Sequence, residues 1–443
     1  MSLTAKVLWA MLLGIIIGLI INLTGINRPE SFVNAYVVEG LFYLIGTMFI
    51  TALKMLVVPL VFFSLISGVL GIGDVRKLGN IGLKSFALYI LTTAIAIATA
   101  IGLAALIIPL FSTPTATAEN FTAKEAPALS DVLINIIPDN VVHAFASGNM
   151  LQIIFFSILL GISLLMVGKK AQSIAEGIEV MNEAMMHMVN IIMSVAPYAV
   201  FVLLAKAIAE LGLDLLTQLA VYVIVVITAL LLHLFVTLMI MLKLFSRLSP
   251  KVFLNKIRDA QIFAFSTASS NATIPVTLRS VTKRMGVDNS VASFTVPFGA
   301  TINMDGTAIM QGVATVFIAH VYAVELGLSG YLTVILMSVL ASIGTAGVPG
   351  VGLIMLSMVF VQVGLPLEGI GLILGVDRLL DMIRTSVNVT GDAVVTCIVA
   401  KSEKEIDLET FADLKAGMAE ELEIHSKDEE ALAQTVYNTE KNE

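Results

Sequence analysis

Residues 379–395 read LLDMIRTSVNVTGDAVV, which places Asp381, Arg384, Asn388 and Asp392 inside an otherwise apolar helix pattern. An ionised side chain in hydrocarbon costs roughly 2.5 to 3.5 kcal/mol even on mild insertion scales, so three such groups close together need a use. At about 100° per residue counted from Asp377, the residues Asp381, Arg384, Thr385, Asn388 and Asp392 fall within about 100° of arc. They form one stripe, and the residues between them are mostly Leu, Met, Ile and Val. A helix patterned this way turns one face to a cavity and packs the others. The alternative is that these groups pair with one another and merely hold helices together. A bidentate arginine fork facing a cavity, however, also matches a substrate carboxylate.

The rest of the chain sets the context for that helix. Its 443 residues are 58% hydrophobic and only 13% charged, about half the charged share of a soluble domain. Mean hydropathy is +0.96. Apolar runs long enough to span about 30 Å recur, the clearest being 7–23, 41–72, 85–111, 149–168, 187–209 and 219–242. This describes an all-α integral membrane protein, with no room for a soluble catalytic domain between spans. The net charge of −8 is local: residues 402–443 carry 13 acidic residues against 4 lysines, leaving the remainder at about +1. Those residues are expected to form a solvated acidic tail. A single cysteine, Cys397, rules out an internal disulfide and a Cys-rich metal site. The positive start and long apolar run of the N-terminus lack a small-residue cleavage signature, so they are expected to be a retained first helix.

Lysines and arginines orient the spans. With Lys6 on the cytoplasmic side, basic residues fall in every second loop: Arg76, Lys77 and Lys84, then Lys169 and Lys170, then Lys243, Arg247, Lys251, Lys256 and Arg258. Six crossings satisfy the positive-inside rule. Beyond residue 250 the alternation stops. FAFSTASSNATIPVTLRS (263–280) is flanked by basic residues on both sides and broken by Pro275, the pattern of a hairpin that enters and leaves on one side. Backbone freed at such a tip is tolerated only inside protein or against water. The stretch 331–366, with SIGTAGVPGVG at its tip, repeats the idea from the other side. Each hairpin is followed by a polar-interrupted segment, GATINMDGTA (299–308) and then the 379–395 stretch, and such paired broken segments point to a midplane transport site.

Asn303 and Asp305 are two residues apart, about 200° on a helical wheel, so one site can use both only if the helix unwinds between Gly299 and Gly306. An unwound turn exposes carbonyl oxygens. With Asp305 and Asp392 as anionic anchors, these make oxygen-rich sites for a hard monovalent cation. No imidazole or thiolate stands in these stretches, which disfavours a transition metal. Half-helix ends at the hairpin tips suit an anionic substrate group.

SSNATIPVT, NMDGTA, GTAGVPG and DMIRTSVNVTGDAVV, in this order and spacing, resemble the glutamate transporter family, the dicarboxylate/amino acid:cation symporters. The resemblance extends from the first helix to about Lys401. It implies eight transmembrane helices plus two re-entrant hairpins in inverted repeats, a homotrimer in the cell membrane with both termini cytoplasmic, and an elevator-type transport domain. By that division 1–72 and 131–215 are scaffold, 80–111 and 216–401 are transport domain, the latter containing two broken helices, and 402–443 is the tail. It further implies that Arg384 holds the substrate side-chain carboxylate, Asp381 the amino group, and Asn388 and Thr307 the backbone carboxylate. Ser269, Ser270, Val348 and Gly352 close over the ligand and Thr385 lines the pocket. Sodium would bind in three places. One uses Asp392 with carbonyls of Gly299, Asn303 and Asn388; a second uses carbonyls at Thr301, Ser342, Ile343 and Thr345; a third uses Asp305 and Asn303 with Tyr89, Thr92 and Thr93. Ala268 and Met382 stand where members usually carry a second arginine, a role Arg378 can take over. Gln311 stands where proton-coupled animal members have Glu.

The expected function is thus sodium-driven symport of aspartate or glutamate. The neighbouring alternatives are a C4-dicarboxylate or neutral amino acid symporter. Arg384 disfavours neutral substrates and Asp381 favours an amino group. A rival of another class is an intramembrane aspartyl protease using Asp305 and Asp392, and an anion channel would conduct without accumulating substrate.

Overall fold

The computed structural model describes residues 3–28, 31–70, 78–111, 134, 136–343, 347 and 350–417. Within them the chain is helical, with one isolated antiparallel bridge between Val287 and Ile406. Helix α1 (Leu3–Leu23) is followed by wide π-type turns at Val33–Phe42 that lead into α2 (Tyr43–Leu70), and α3 (Leu83–Phe111) comes next. A short α4 (Val141–Ser147) precedes α5 (Met150–Val167), α6 (Gln172–Ser194), α7 (Ala196–Leu211) and α8 (Leu213–Leu232). A π turn at His233–Thr237 joins α8 to α9 (Leu238–Ser246). The C-terminal half continues with α10 (Pro250–Thr267), α11 (Ser270–Arg279), α12 (Asn289–Ile302), α13 (Asp305–Val321), α14 (Gly327–Ser342), α15 (Val351–Gln362), α16 (Gly369–Glu403) and α17 (Leu408–Ala412).

By length and composition, five helical stretches among the described residues can cross a membrane: Ala5–Leu23, Val33–Leu70, Asn80–Phe111, Gln152–Ser194 and Leu215–Ser246. The protein is a multi-pass membrane protein. Large apolar side chains such as Leu106, Leu110, Ile224 and Leu231 point outward, as a lipid-facing surface requires. Without a hydrophobic drive between helices in lipid, close approach depends on small residues. Gly14 and Gly18 of α1 supply it: a Cβ at either position would lie 2.8 Å from a backbone oxygen of α7, that of Phe201 or of Ala205.

The helix α16 runs through the middle of the C-terminal half, packed against α10, α12 and α13. Helix α13 is buried along almost its whole length and packs on α3, where Gly312 faces Ile97 and Ile101. These contacts bring the polar stretches of α3, α12, α13 and α16 to one interior region.

Three expectations need correction. The span expected at 187–209 is split: residues to Ser194 belong to α6, and a new helix begins at Ala196 with Pro197 in its first turn. Proline fixes φ and has no N–H, so it suits a helix start and not a helix interior. The second expected broken helix is unbroken, since α16 runs continuously over 35 residues. Its polar groups already share one face, so it need not unwind to present them. Finally, the segment after Ser402 is not wholly a solvated tail. Asp288 N–H donates to Glu405 O at 2.9 Å, and Asp407 N–H to Gly286 O at 2.8 Å. Phe411 is buried beside Lys256, whose ammonium donates to Arg284 O and, at 2.7 Å, to Thr410 O. Asp407 caps α17, and hydrogen bonds from the Thr410 hydroxyl and the Glu409 N–H hold its carboxyl below the usual carboxylate range.

Candidate functional site

Helix α12 stops at Ile302 and α13 restarts at Asp305, with Asn303 (φ −95°, ψ 87°) and Met304 (φ −112°, ψ 51°) off the helical path. The unwinding lets Asn303 and Asp305 face one region despite their spacing. Asp305 is 0% exposed; its Oδ1 accepts from Thr93 Oγ1 at 2.7 Å and Thr92 Oγ1 at 3.2 Å. Asn303 Oδ1, 3.1 Å from Thr92 Oγ1, is an alternative acceptor for the same hydroxyl hydrogen, and Asn303 Nδ2 donates to Asp392 Oδ1 at 2.9 Å. Asp392 is 1% exposed. Among the described residues neither aspartate pairs with a lysine or arginine. Two carboxylates in the same buried network, surrounded mainly by neutral oxygens and amides, make a site fit for a cation, because an uncompensated buried charge is costly.

Glycines make room for this cluster. A Cβ on Gly299 would sit 2.6 Å from Asp392 Oδ1 and 2.7 Å from the Tyr89 hydroxyl. One on Gly391 would sit 2.6 Å from Asn303 Nδ2 and 3.2 Å from Asp305 Oδ2. The Tyr89 hydroxyl donates to Thr295 O at 2.9 Å. Tyr89, Thr92, Thr93, Gly299, Asn303, Asp305 and Asp392 are therefore brought together. The hydroxyls of Thr301 and Ser342 donate to their own helices, at Phe298 O and Val339 O, which leaves any cation there to backbone carbonyls. Thr345 and Val348 lie outside the described residues.

A second cluster surrounds Arg384, which is 0% exposed. Its Nη1 donates to Asp377 Oδ1 and its Nη2 to Asp381 Oδ1, both at 2.8 Å. Arg378 Nη1 lies 3.6 Å from Asp381 Oδ2, an atom with no hydrogen-bond partner. Arg384 Nε is likewise unpartnered. The Thr385 hydroxyl is satisfied by Asp381 O at 2.7 Å. Asn388 Oδ1 accepts from Gly306 N–H at 2.7 Å, capping the first turn of α13. A Cβ on Gly352 would lie 3.2 Å from Thr307 Cγ2 and 3.5 Å from Arg384 Nη2, so the bare backbone of α15 faces the guanidinium.

The tips of the two helical pairs touch. Ser269 caps α11 through Ala272 N–H, and its own hydroxyl donates to Gly347 O at 2.7 Å, where Asn271 N–H also donates at 3.2 Å. Ser270 is buried at the same contact. A cavity of about 130 Å³ opens beside Asp377, Arg378 and Asp381, walled by Met193, Gly350 and Leu353. Another of about 250 Å³ is lined by Ser64, Asn182, Asn271, Ser293, Pro297 and Thr301.

Two further residues belong to these clusters. Asp377 lies on the α16 stripe, and only its contact shows that it shares Arg384 with Asp381. His233, one of five histidines in the chain, places its Nε2 3.0 Å from Asp305 Oδ2. An imidazole does accompany the carboxylates, contributed by a helix 72 residues earlier. The available signal was one ionisable side chain in the apolar run LLLHLF.

A polytopic helical protein whose charged groups are gathered in its buried interior has the construction of a membrane transport protein. The chain belongs to the sodium:dicarboxylate symporter family, whose model matches residues 3–402. It is a transporter and not an enzyme. It is 32% identical to the proton/sodium-glutamate symport protein of Bacillus caldotenax over 90% of this chain and 95% of that one. Identity is 33% to the proton/glutamate-aspartate symporter of Escherichia coli (strain K12), covering 92% and 94%. It is 32% to the C4-dicarboxylate transport protein of Bacillus subtilis (strain 168), covering 94% and 97%.

The Gly299 contact gives a direct test. Gly299→Ala forces the Asp392 carboxylate or the Tyr89 ring aside and should raise the half-saturating concentration of the driving cation by about tenfold. Cation titration of substrate uptake in proteoliposomes measures it, and an unchanged midpoint would separate this cluster from the driving ion.

Proposed function

We propose that this chain is a sodium-coupled symporter that imports aspartate or glutamate. The single observation that carries the proposal is the pair of buried carboxylates, Asp305 and Asp392, without a lysine or arginine partner among the described residues. A cation entering with the substrate supplies the missing charge and leaves with it. Hydroxyl oxygens of Thr92 and Thr93, the Asn303 carbonyl and backbone oxygens at the unwound turn are hard donors suited to sodium. A hydroxyl that donates to Asp305 can rotate to offer a lone pair to the ion.

Arg384 and Asp381 make the substrate end, with Thr307, Thr385, Asn388, Ser269, Ser270, Val348 and Gly352 as its lining. Arg384 retains an unpaired Nε and further donors for a carboxylate, and Asp381 Oδ2, which accepts no hydrogen bond and has Arg378 Nη1 3.6 Å away, suits an ammonium group. That oxygen favours an amino acid over a C4-dicarboxylate, since a ligand without the ammonium leaves a buried acceptor unpaired. The sodium sites are those of Asp392 with Gly299, Asn303 and Asn388, of Asp305 with Asn303, Tyr89, Thr92 and Thr93, and of Thr301, Ser342, Ile343 and Thr345.

The machine is an elevator in a homotrimer of the cell membrane, with eight spans, two re-entrant hairpins (α10–α11 and α14–α15) and both termini cytoplasmic. Residues 1–72 and 131–215 form the scaffold, in support of which α1 and α7 are locked by Gly14 and Gly18. Residues 80–111 and 216–401 move, and the packing of α3 on α13 supports that grouping. Coupling follows when the outer hairpin closes only over a fully loaded site. Each net positive charge carried inward gains about 2.3 kcal/mol per 100 mV, so several cations per anion leave a net inward drive.

In proteoliposomes, Arg384→Ala should abolish uptake of labelled L-aspartate, which glutamate outcompetes more effectively than succinate or serine in the unmodified protein; undiminished aspartate uptake in the variant would refute the substrate assignment. Gln311 is buried and its Oε1 has no partner among the described residues. Gln311→Glu places a carboxyl that must be protonated to stay buried, so transport by that variant should fall as pH rises. A flat profile, measured as uptake across the neutral range, contradicts the role given to this position.

A further inference from the structure

We propose that His233 is a positioning residue of the cation site, an addition that rests on the proposed sodium coupling. Helix α8 ends at Leu232, and the π turn that follows begins at His233, whose carbonyl accepts from Leu238 N–H. Such wide turns interrupt regular helix register and recur at functional sites. Here the turn aims an imidazole that is 1% exposed at the carboxylate of Asp305, with Nε2 3.0 Å from Oδ2. Its other nitrogen, Nδ1, has no hydrogen-bond partner.

The two oxygens of Asp305 therefore have separate duties. An ionised carboxylate only accepts, which puts the imidazole hydrogen on Nε2. His233 holds Oδ2, and the missing side chain of Gly391 leaves room for it, since a Cβ there would lie 3.2 Å away. Oδ1 is left turned toward Thr92, Thr93 and the neighbouring Asn303. Without the imidazole the carboxylate can rotate about its bond to Cβ, and the set of oxygen donors loses its fixed geometry. An outer partner that orients a first ligand in this way commonly sets affinity by 10- to 100-fold, so roughly that range is expected here. The ring touches Asp305, not the substrate groups around Arg384, so its effect should fall on the cation alone.

The test compares His233→Gln with His233→Met, two unbranched side chains of similar length of which only the first carries an N–H. Sodium chloride is titrated, against choline chloride, into the purified full-length protein with labelled L-aspartate at fixed concentration. The half-saturating sodium concentration should stay within about threefold of the unmodified protein for His233→Gln and rise roughly 10- to 100-fold for His233→Met. Aspartate affinity at saturating sodium should be the same in all three. Equal midpoints for the two variants overturn the proposal, as does a His233→Met variant whose aspartate affinity stays low at saturating sodium. An unmodified protein indifferent to sodium overturns the proposed function as well, whereas sodium dependence with equal variants overturns only this inference. Should His233→Met not be recovered folded, histidine-labelled protein decides: sodium should move the His233 ring nitrogen resonance, identified by its loss in His233→Gln. A resonance that ignores sodium overturns the proposal.

Discussion

The interior of this protein is organised by an electrostatic debt. Asp305 and Asp392 are buried within one network, and among the described residues no lysine or arginine is paired with either, His233 being the one ring nitrogen in contact with Asp305. A lone carboxylate in a low-dielectric interior is stable only when something neutralises it or shares its charge. The surrounding structure is shaped by that requirement. The chain gives up two residues of helix at Asn303 and Met304, which brings the Asn303 amide to Asp392. Gly299 and Gly391 forgo side chains where the carboxylates and Asn303 lie. Helix α3 contributes two threonine hydroxyls at the same depth.

The Arg384 region follows the opposite logic. There Asp377 and Asp381 share the buried Arg384, and Arg378 Nη1 lies 3.6 Å from Asp381, so two basic groups face two acidic ones. Anionic substrate arriving at Arg384 competes with residues of the same helix, and cation arriving at Asp305 and Asp392 meets no resident competitor but hydroxyl and imidazole donors. A site built this way favours simultaneous loading, because the charge of the entering acid is offset by the cations that enter with it. Asn388 links the regions physically: it lies on the α16 stripe between Arg384 and Asp392 and caps the unwound start of α13.

Much of this was legible in the sequence, for specific reasons. The stripe on α16 follows from helical periodicity, and the unwinding near Asn303 follows from a spacing that an intact helix cannot reconcile with one site. Both inferences are local. What failed or stayed hidden depends on distant partners or on helix ends. His233 carries no local mark beyond its polarity, and its significance arises when α8 and α13 meet. The sharing of Arg384 between two aspartates is a matter of rotamers, invisible to a wheel. Paired segments suggested that α16 would break as α12–α13 does, yet the common face of its polar groups removes the need. The acidic segment after Ser402 was judged by charge alone, whereas Ile406 and Phe411 are the residues that dock it.

The most direct measurement is reciprocal coupling in sealed proteoliposomes. With equal sodium on both sides and no membrane potential, an inward aspartate gradient should drive net entry of radioactive sodium, since a shared loading event couples each ligand to the other. Aspartate entry without accompanying sodium movement would contradict the claim that the buried carboxylates are neutralised by a cation travelling with the acid.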